Sequence, residues 1–172
     1  MPLVLVATSG AVNANTYCTL AEAETYYLSR IPLAAWTAGT DATKNAALTM
    51  ATRLLDLRFE WAEWASTPTQ ALQWPRAGIM DFLNMRIIDS AVIPQQLKDA
   101  EAEFAGQLLA ADRSLDSDVE TQGITSIKAG SVALTFKDNV YAKVVPDAVI
   151  AMIPSWWGWF RGRGFVRELV RG

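Results

Sequence analysis

The chain has 172 residues, of which 51% are hydrophobic, and this is enough apolar material to bury one sizeable core. It has no histidine and only one cysteine, Cys18, which excludes Ser/His and Cys/His nucleophile pairs, the usual zinc ligand sets and an internal disulfide. Because these catalytic pairs and ligand sets are missing, we expect a protein that is not an enzyme and needs no metal or cofactor. No apolar run is long enough to cross a bilayer, so we also expect it to be cytoplasmic.

The formal net charge of −3 is unevenly distributed along the chain. Four arginines against one glutamate give residues 161–172 a charge of +3, which leaves −6 for residues 1–160. The sequence therefore predicts an acidic body, which repels the phosphates of nucleic acids, and a basic tail.

The first predicted helix begins at a capping box. Thr19 is followed three residues later by Glu22, the spacing at which the two residues cap each other's backbone amides. We predict a helix from about Leu20 to Ser29, followed by a loop that contains Trp36, because Pro32 interrupts the pattern.

A long amphipathic stretch predicts the central helix of a small bundle. One apolar stripe at helical spacing consists of Met50, Leu54, Leu57, Trp61 and Trp64. A second consists of Ala47, Ala51, Leu55, Phe59 and Ala62. Because only a narrow polar strip remains, we predict a helix from Asp41 to Trp64 that other helices cover, with Asp41 or Thr40 as its N-cap.

The next segment, residues 70–78, is predicted to be an irregular strap. Pro75 favours an extended conformation at Trp74, and Gly78 permits a turn. We expect Trp74 to pack on the bundle and Arg76 either to extend toward solvent or to pair with a carboxylate such as Asp56 or Glu60.

The third predicted helix runs from Pro94 to Asp112. Proline suits the first turn of a helix, and Leu97, Phe104 and Leu108 share one apolar face. The carboxylates of Asp99, Glu101 and Glu103 are predicted to form a solvated outer face.

The remaining body is predicted to hold a β-hairpin and a fourth helix. Val132, Leu134 and Phe136 alternate with small or polar residues, which indicates a hairpin near residues 123–137. Pro146 then begins a short helix from Asp147 to Ile153. The sequence thus predicts a mainly α fold, a small bundle of about four helices with one hairpin in residues 1–154, and an extended arm in residues 155–172.

The predicted arm combines aromatic and basic side chains. Its aromatic and arginine residues are Trp156, Trp157, Trp159, Phe160, Arg161, Arg163, Phe165 and Arg167. Three tryptophans within four residues cannot all be buried at a chain end, so this cluster indicates a partner surface. Nucleic acid, a membrane and another protein all suit aromatics beside arginines.

Several of these features together resemble a known family. They are residues 15–24 ahead of a tyrosine pair, Trp36, the helix over residues 47–61, the strap over residues 72–78, Ile93 with Pro94, and the late hairpin. This set is similar to the head-to-tail connector, or adaptor, proteins of tailed phages, which are often labelled DnaT-like single-stranded DNA-binding proteins. The resemblance implies a ring, commonly a dodecamer, beneath the capsid portal.

The resemblance implies a structural role in the virion neck, after assembly in the host cytoplasm. The arm would then bind the portal protein, the opposite side of the ring would meet the next neck or tail-completion protein, and Asp99, Glu101 and Glu103 would line a channel through which duplex DNA passes without specific binding. No membrane contact is expected.

The alternative is a single-stranded DNA-binding protein of phage or prophage replication. In that case, the arm would supply base stacking and phosphate contacts, while the acidic body would oppose binding.

Overall fold

The computed structural model describes residues 3–112, 126–129, 132–135 and 144–161. In this part of the chain five α-helices are present: α1 (Leu20–Leu28), α2 (Ala34–Ala38), α3 (Asp41–Arg58), α4 (Gln95–Ala110) and α5 (Asp147–Met152). The strands are β1 (Phe59–Trp61), β2 (Trp64–Ala65), β3 (Arg76–Ala77), β4 (Met80–Asp81), β5 (Arg86–Ile87), β6 (Ser126–Ala129), β7 (Val132–Thr135) and β8 (Gly158–Phe160).

The predicted bundle of about four helices is wrong. The described residues contain four short antiparallel sheets of two strands each in addition to the helices. The strand pairs are β1 with β8, β2 with β3, β4 with β5, and β6 with β7. The fold is therefore a mixed α/β arrangement. Apart from the β6–β7 hairpin, segments that sequence periodicity assigned to helix or loop form these sheets, because their strand partners supply backbone hydrogen bonds that local propensity does not reveal.

The starts of α1 and α3 follow their capping signals. The Thr19 side chain accepts a hydrogen bond from the amide of Glu22, and the Glu22 carboxylate accepts one from the amide of Thr19 at 2.7 Å. Thr40 caps α3 by accepting from the amide of Thr43. The capping box and one of the two predicted α3 caps are therefore confirmed.

The innermost helix is α4 rather than α3. Each of the other four helices contacts α4, and every residue from Ala100 to Gly106 is buried. Gly106 permits the closest approach, because a Cβ atom there would lie 1.8 Å from the Tyr27 hydroxyl oxygen. The core between α3 and α4 consists of Leu48, Ala51, Leu55, Leu97, Ala100, Phe104 and Ala105.

The predicted central helix ends earlier than expected. α3 stops at Arg58, Phe59 has an extended conformation, and β1 begins there. Leu57 and Trp64, which were assigned to the apolar stripe, have exposed fractions of 62% and 61%. Phe59 and Trp61 are buried by strand alternation instead, since residues two apart lie on the same face of a strand.

Trp36 lies in a helix and not in the predicted loop. It belongs to α2 and stacks on Tyr27 with ring centroids 4.2 Å apart. Lys44 lies over the same indole ring and forms an ion pair with Glu24 at 2.6 Å. α2 therefore closes the end of the core formed by α1 and α4.

The strap carries Trp74 into the core, as predicted. Trp74 is 1% exposed, and its peptide bond to Pro75 is cis. Arg76 is also buried, but the predicted carboxylate pairing is wrong. Its guanidinium donates instead to the backbone carbonyl oxygens of Ala62, Glu63 and Gln73.

The late hairpin and the last helix agree with their predictions. β6 pairs with β7 in an antiparallel register that sets Ser126 opposite Thr135 and Ala129 opposite Val132. α5 begins after Pro146 and ends at Met152, one residue before the predicted end.

Candidate functional site

A groove lies where α5, the segment after it and β1 meet. It has a volume of about 720 Å³. We call it the aromatic groove, and its lining residues are Phe59, Gln96, Ile150, Ala151, Met152, Ile153, Pro154, Ser155, Trp156, Gly158, Trp159 and Phe160. The lining is therefore mainly apolar and aromatic.

Residues 155–160 form one wall of the groove because their backbone is tied to β1. Phe160 pairs with Phe59, and Gly158 pairs with Trp61 in the antiparallel register. A Cβ atom at Gly158 would lie 2.4 Å from the carbonyl oxygen of Glu60, so only glycine permits this approach. The β1–β8 pairing thus fixes the position of the aromatic side chains.

Trp157 anchors this wall in the core. It is 2% exposed, and its ring centroid lies 5.2 Å from that of Trp74. Its carbonyl oxygen accepts a hydrogen bond from the amide of Ala62 at 2.7 Å. The strap and the groove are therefore parts of one aromatic cluster, in which Trp61 also packs on Trp74.

The two neighbouring tryptophans stay accessible. Trp156 and Trp159 have exposed fractions of 38% and 55%. Phe82, from the turn between β4 and β5, packs on Trp156 with ring centroids 5.6 Å apart and an interplanar angle of 84°. Large aromatic faces exposed beside a groove can stack on a planar ligand such as a nucleobase.

Arg161 directly follows Phe160, the last lining residue of the aromatic groove, and we call its position the rim of the groove. The Nε and Nη2 atoms of Arg161 each lie 3.2 Å from Oε2 of Glu60, and both side chains are largely exposed. Glu60 stands opposite Trp159 in the β1–β8 register. A phosphate could replace the Glu60 carboxylate on Arg161, because both anions accept charge-assisted hydrogen bonds from a guanidinium.

The structure brings some of the predicted arm residues together and separates others. Trp156, Trp159 and Phe160 line the aromatic groove, with Arg161 at its rim, whereas Trp157 points into the core. Arg163, Phe165 and Arg167 lie outside the described residues. Binding of these residues to a portal and the predicted boundary at residue 155 stay predictions, although residues 155–161 pack against the body.

The predicted acidic face of α4 is wrong for two of its three carboxylates. Glu101 has an exposed fraction of 0%, and Glu103 is buried in contact with Arg30 at 3.3 Å and the Tyr26 hydroxyl at 2.9 Å. Only Asp99 is partly exposed, and it accepts a hydrogen bond from Gln95. Glu101 cannot line a channel, because its carboxylate is fully buried among Thr16, Tyr17, Cys18 and Thr52.

A second buried carboxylate connects α3 to the strap. Asp56 accepts hydrogen bonds from the Tyr17 hydroxyl and, at 3.1 Å, from the amide of Gln73. Burial raises the pKa of Asp56 to about 6, although the hydrogen bond from Tyr17 opposes this rise. Asp56 therefore serves the internal packing rather than an exposed site.

The sequence analysis did not identify Phe82, Glu60 and Arg86 as residues near the aromatic groove. Arg86, paired with Asp81 at 3.7 Å, belongs to the hairpin that presents Phe82. The signal available was a run of apolar residues in a segment rich in turn formers: Ile79, Met80, Phe82, Leu83, Met85 and Ile87.

Metal binding finds no support in the described part of the chain, where no three His, Cys, Asp or Glu side chains come together as a ligand set. The described helices also include none with the length and apolar character needed to span a membrane.

Comparison with known proteins supports nucleic-acid binding over the structural role. A family model described as "Putative DnaT-like ssDNA binding protein" matches residues 1–172. No curated protein and no solved structure matches the chain. The predicted head-to-tail adaptor function is overturned by this family description, which agrees with the alternative prediction of single-stranded DNA binding. Because the match spans the whole sequence, the chain belongs to the DnaT-like single-stranded DNA-binding family.

Proposed function

We propose that the protein binds single-stranded DNA in the aromatic groove. The observation that carries this proposal is the exposure of Trp156 and Trp159 on one wall of the groove, next to Arg161 at its rim. The tryptophans would stack on unpaired bases, and Arg161 would bind a backbone phosphate.

Single strands suit this geometry better than duplex DNA. The faces of stacked and paired bases in a duplex are covered by their neighbours, so they offer no surface to a tryptophan ring. The groove, at about 720 Å³, has room for one or two bases on the scale of known ligand pockets.

The acidic body limits where a strand can lie. Residues 1–160 carry a net charge of −6 and repel phosphates, whereas residues 161–172 carry +3. A bound strand would therefore run from the aromatic groove along the basic tail. Stacking would supply most of the affinity, and few phosphate contacts would give a shallow salt dependence.

Removing both exposed tryptophans should abolish most of the binding. We expect the double substitution of Trp156→Ala and Trp159→Ala to weaken binding of a labelled oligothymidine at least tenfold, since each base stacked on an aromatic ring contributes about 1 to 3 kcal/mol. Fluorescence polarisation measures this affinity, and a duplex of equal length should bind weakly to the unaltered protein.

Trp64→Ala is the matched control for this experiment. Trp64 is 61% exposed, comparable to Trp159, but it lies in β2 and does not line the groove. Unchanged affinity in the double variant, or an equal loss in Trp64→Ala, would contradict the proposal.

Removing the carboxylate that competes for Arg161 should strengthen binding. We expect Glu60→Gln to increase the affinity about two- to fivefold, because the exposed ion pair that a phosphate must displace is worth about 0.2 to 1 kcal/mol. Titrations at low and moderate salt measure the change.

Asp41→Asn provides a control with the same change in net charge. Asp41 begins α3, whereas Phe59 in the groove follows the end of this 18-residue helix, so roughly 25 Å separates the two sites. A gain that is equal in both variants would assign the effect to the overall charge rather than to Arg161.

A further inference from the structure

A fully buried carboxyl group joins three parts of the fold. Glu101 of α4 places Oε1 at 2.6 Å from the Thr16 hydroxyl and 2.5 Å from the Thr52 hydroxyl of α3. Its Oε2 accepts hydrogen bonds from the backbone amides of Tyr17 and Cys18 at 3.1 Å and 2.8 Å. Glu101 therefore holds the N-terminal segment of residues 14–19 on α3 and α4.

The number of hydrogens available to the buried hydroxyls favours a protonated Glu101. The Thr16 hydroxyl lies within hydrogen-bond distance of both the Cys18 carbonyl oxygen, at 2.9 Å, and Glu101, but it has one hydrogen to donate. If Glu101 carries a proton on Oε1, it donates to Thr16, and Thr16 can then donate to Cys18. Every polar contact is satisfied in this state, whereas an ionised Glu101 leaves one short contact without a hydrogen.

In the part of the chain that the structure describes, no cation is paired with this carboxyl. Among the described residues, the charged groups that face it are Asp56 of α3, reached through Tyr17, and the pair of Glu22 from α1 with Lys98 from α4. Lys98 is held by Glu22 at 2.5 Å, and Asp56 has Arg76 of the strap near it. The Tyr17 hydroxyl and the Cys18 thiol are neutral, because burial raises the pKa of each.

Burial raises the pKa of Glu101 to about 7, although the hydrogen bonds from Thr16 and Thr52 pull it down. If residues 14–19 moved away and exposed Glu101 to water, the pKa of this carboxyl would be near its ordinary value of about 4.3. We call this arrangement the open state and the observed arrangement the closed state. The closed state thus binds one more proton than the open state between these two values. Raising the pH through this interval favours opening, and above it the effect levels off.

We propose that Glu101 is a proton-operated latch, which holds residues 14–19 closed while its carboxyl is protonated and permits the segment to open when the proton is lost. The segment is the part that moves, since it is a loop packed on two long helices. This inference is independent of DNA binding, because Glu101 has no contact with the aromatic groove.

The rate at which a thiol reagent labels Cys18 measures how readily residues 14–19 open. It is 1% exposed, is the only cysteine in the sequence, and adjoins Glu101 through its backbone amide. Labelling by 4,4′-dithiodipyridine, which reacts in mild acid, would be followed in the full chain from pH 5 to pH 8. Each rate would be divided by that of a model thiol at the same pH, which removes the intrinsic pH dependence of the reagent.

The corrected labelling rate should rise about fortyfold between pH 5 and pH 7 and approach a plateau near pH 8. Glu101→Gln should be protected and independent of pH over this interval, because its amide is neutral, can donate to Thr16 as the protonated acid does, and can accept from the two backbone amides. Circular dichroism would check that this variant is folded.

Two results would overturn the latch. A flat profile in the unaltered protein from pH 5 to pH 7 does so without any variant. A profile that disappears in Asp56→Asn and persists in Glu101→Gln would assign the titration to Asp56. A profile that persists in Asp56→Asn with a similar rise supports Glu101.

Discussion

Trp74→Ala is expected to lower the free energy of unfolding by about 3 to 5 kcal/mol. Trp74 is 1% exposed and contacts the rings of both Trp61 and Trp157, with centroid separations of 5.8 Å and 5.2 Å. Its loss leaves a cavity that neighbours on β1 and before β8 cannot fill without breaking their pairing. Urea denaturation followed by circular dichroism measures the change, which corresponds to a melting temperature lower by roughly 10 °C.

Trp64→Ala removes the same side chain from an exposed position and is the control. Its free energy of unfolding should change by about 0.5 kcal/mol or less, as is usual for surface substitutions. Equal stability of Trp74→Ala and the unaltered protein would show that the strap is not part of the core. The Trp74→Ala variant should also bind oligothymidine less tightly. Trp74 packs on Trp157, and Trp157 anchors the wall of the aromatic groove.

Local signals predicted the helix starts and the late hairpin. The capping box at Thr19 and Glu22 involves residues three apart, so the sequence contains all of the interacting partners. The same holds for the alternation of Val132 and Leu134 in β7, which indicates a strand without reference to distant residues. Structure that depends on neighbours in sequence was therefore predictable.

The end of α3 depends on a distant partner and was missed. Phe59 and Trp61 fit a helical stripe when read with the residues before them, and they equally fit one face of a strand. The choice is made by Gly158 and Phe160, about a hundred residues later, which supply the β1 hydrogen bonds. No local pattern contains this information.

Dependence on distant residues also explains why Glu101 and Glu103 were wrongly predicted to be exposed. Glu101 and Glu103 have the spacing of a solvated helix face, and most such charges are exposed. Their burial depends on Thr16, Thr52, Tyr26 and Arg30, which the fold brings to α4 from three separate segments. For the groove, the aromatic cluster was predicted, but which tryptophan is buried depends on the β1–β8 register.

Arg76→Met is expected to lower the free energy of unfolding by about 3 to 4 kcal/mol. Arg76 is 6% exposed, and its guanidinium donates to the carbonyl oxygens of Ala62 at 2.5 Å, Glu63 at 2.5 Å and Gln73 at 3.0 Å. Methionine fills much of the same volume but donates nothing, so these part-buried acceptors lose a charged donor. Chemical denaturation of the purified variant measures the loss.

Arg76→Lys and Arg86→Met separate the possible causes of this loss. Lysine keeps the positive charge near Asp56, but its single nitrogen cannot reproduce the planar fork that joins the turn between β1 and β2 to the strap. We therefore expect it to recover less than half of the lost stability. Arg86 has an exposed fraction of 73%, and its replacement should change stability by about 0.5 kcal/mol or less. Full stability of Arg76→Lys would show that charge balance with Asp56, rather than the set of carbonyl hydrogen bonds, holds the strap in place.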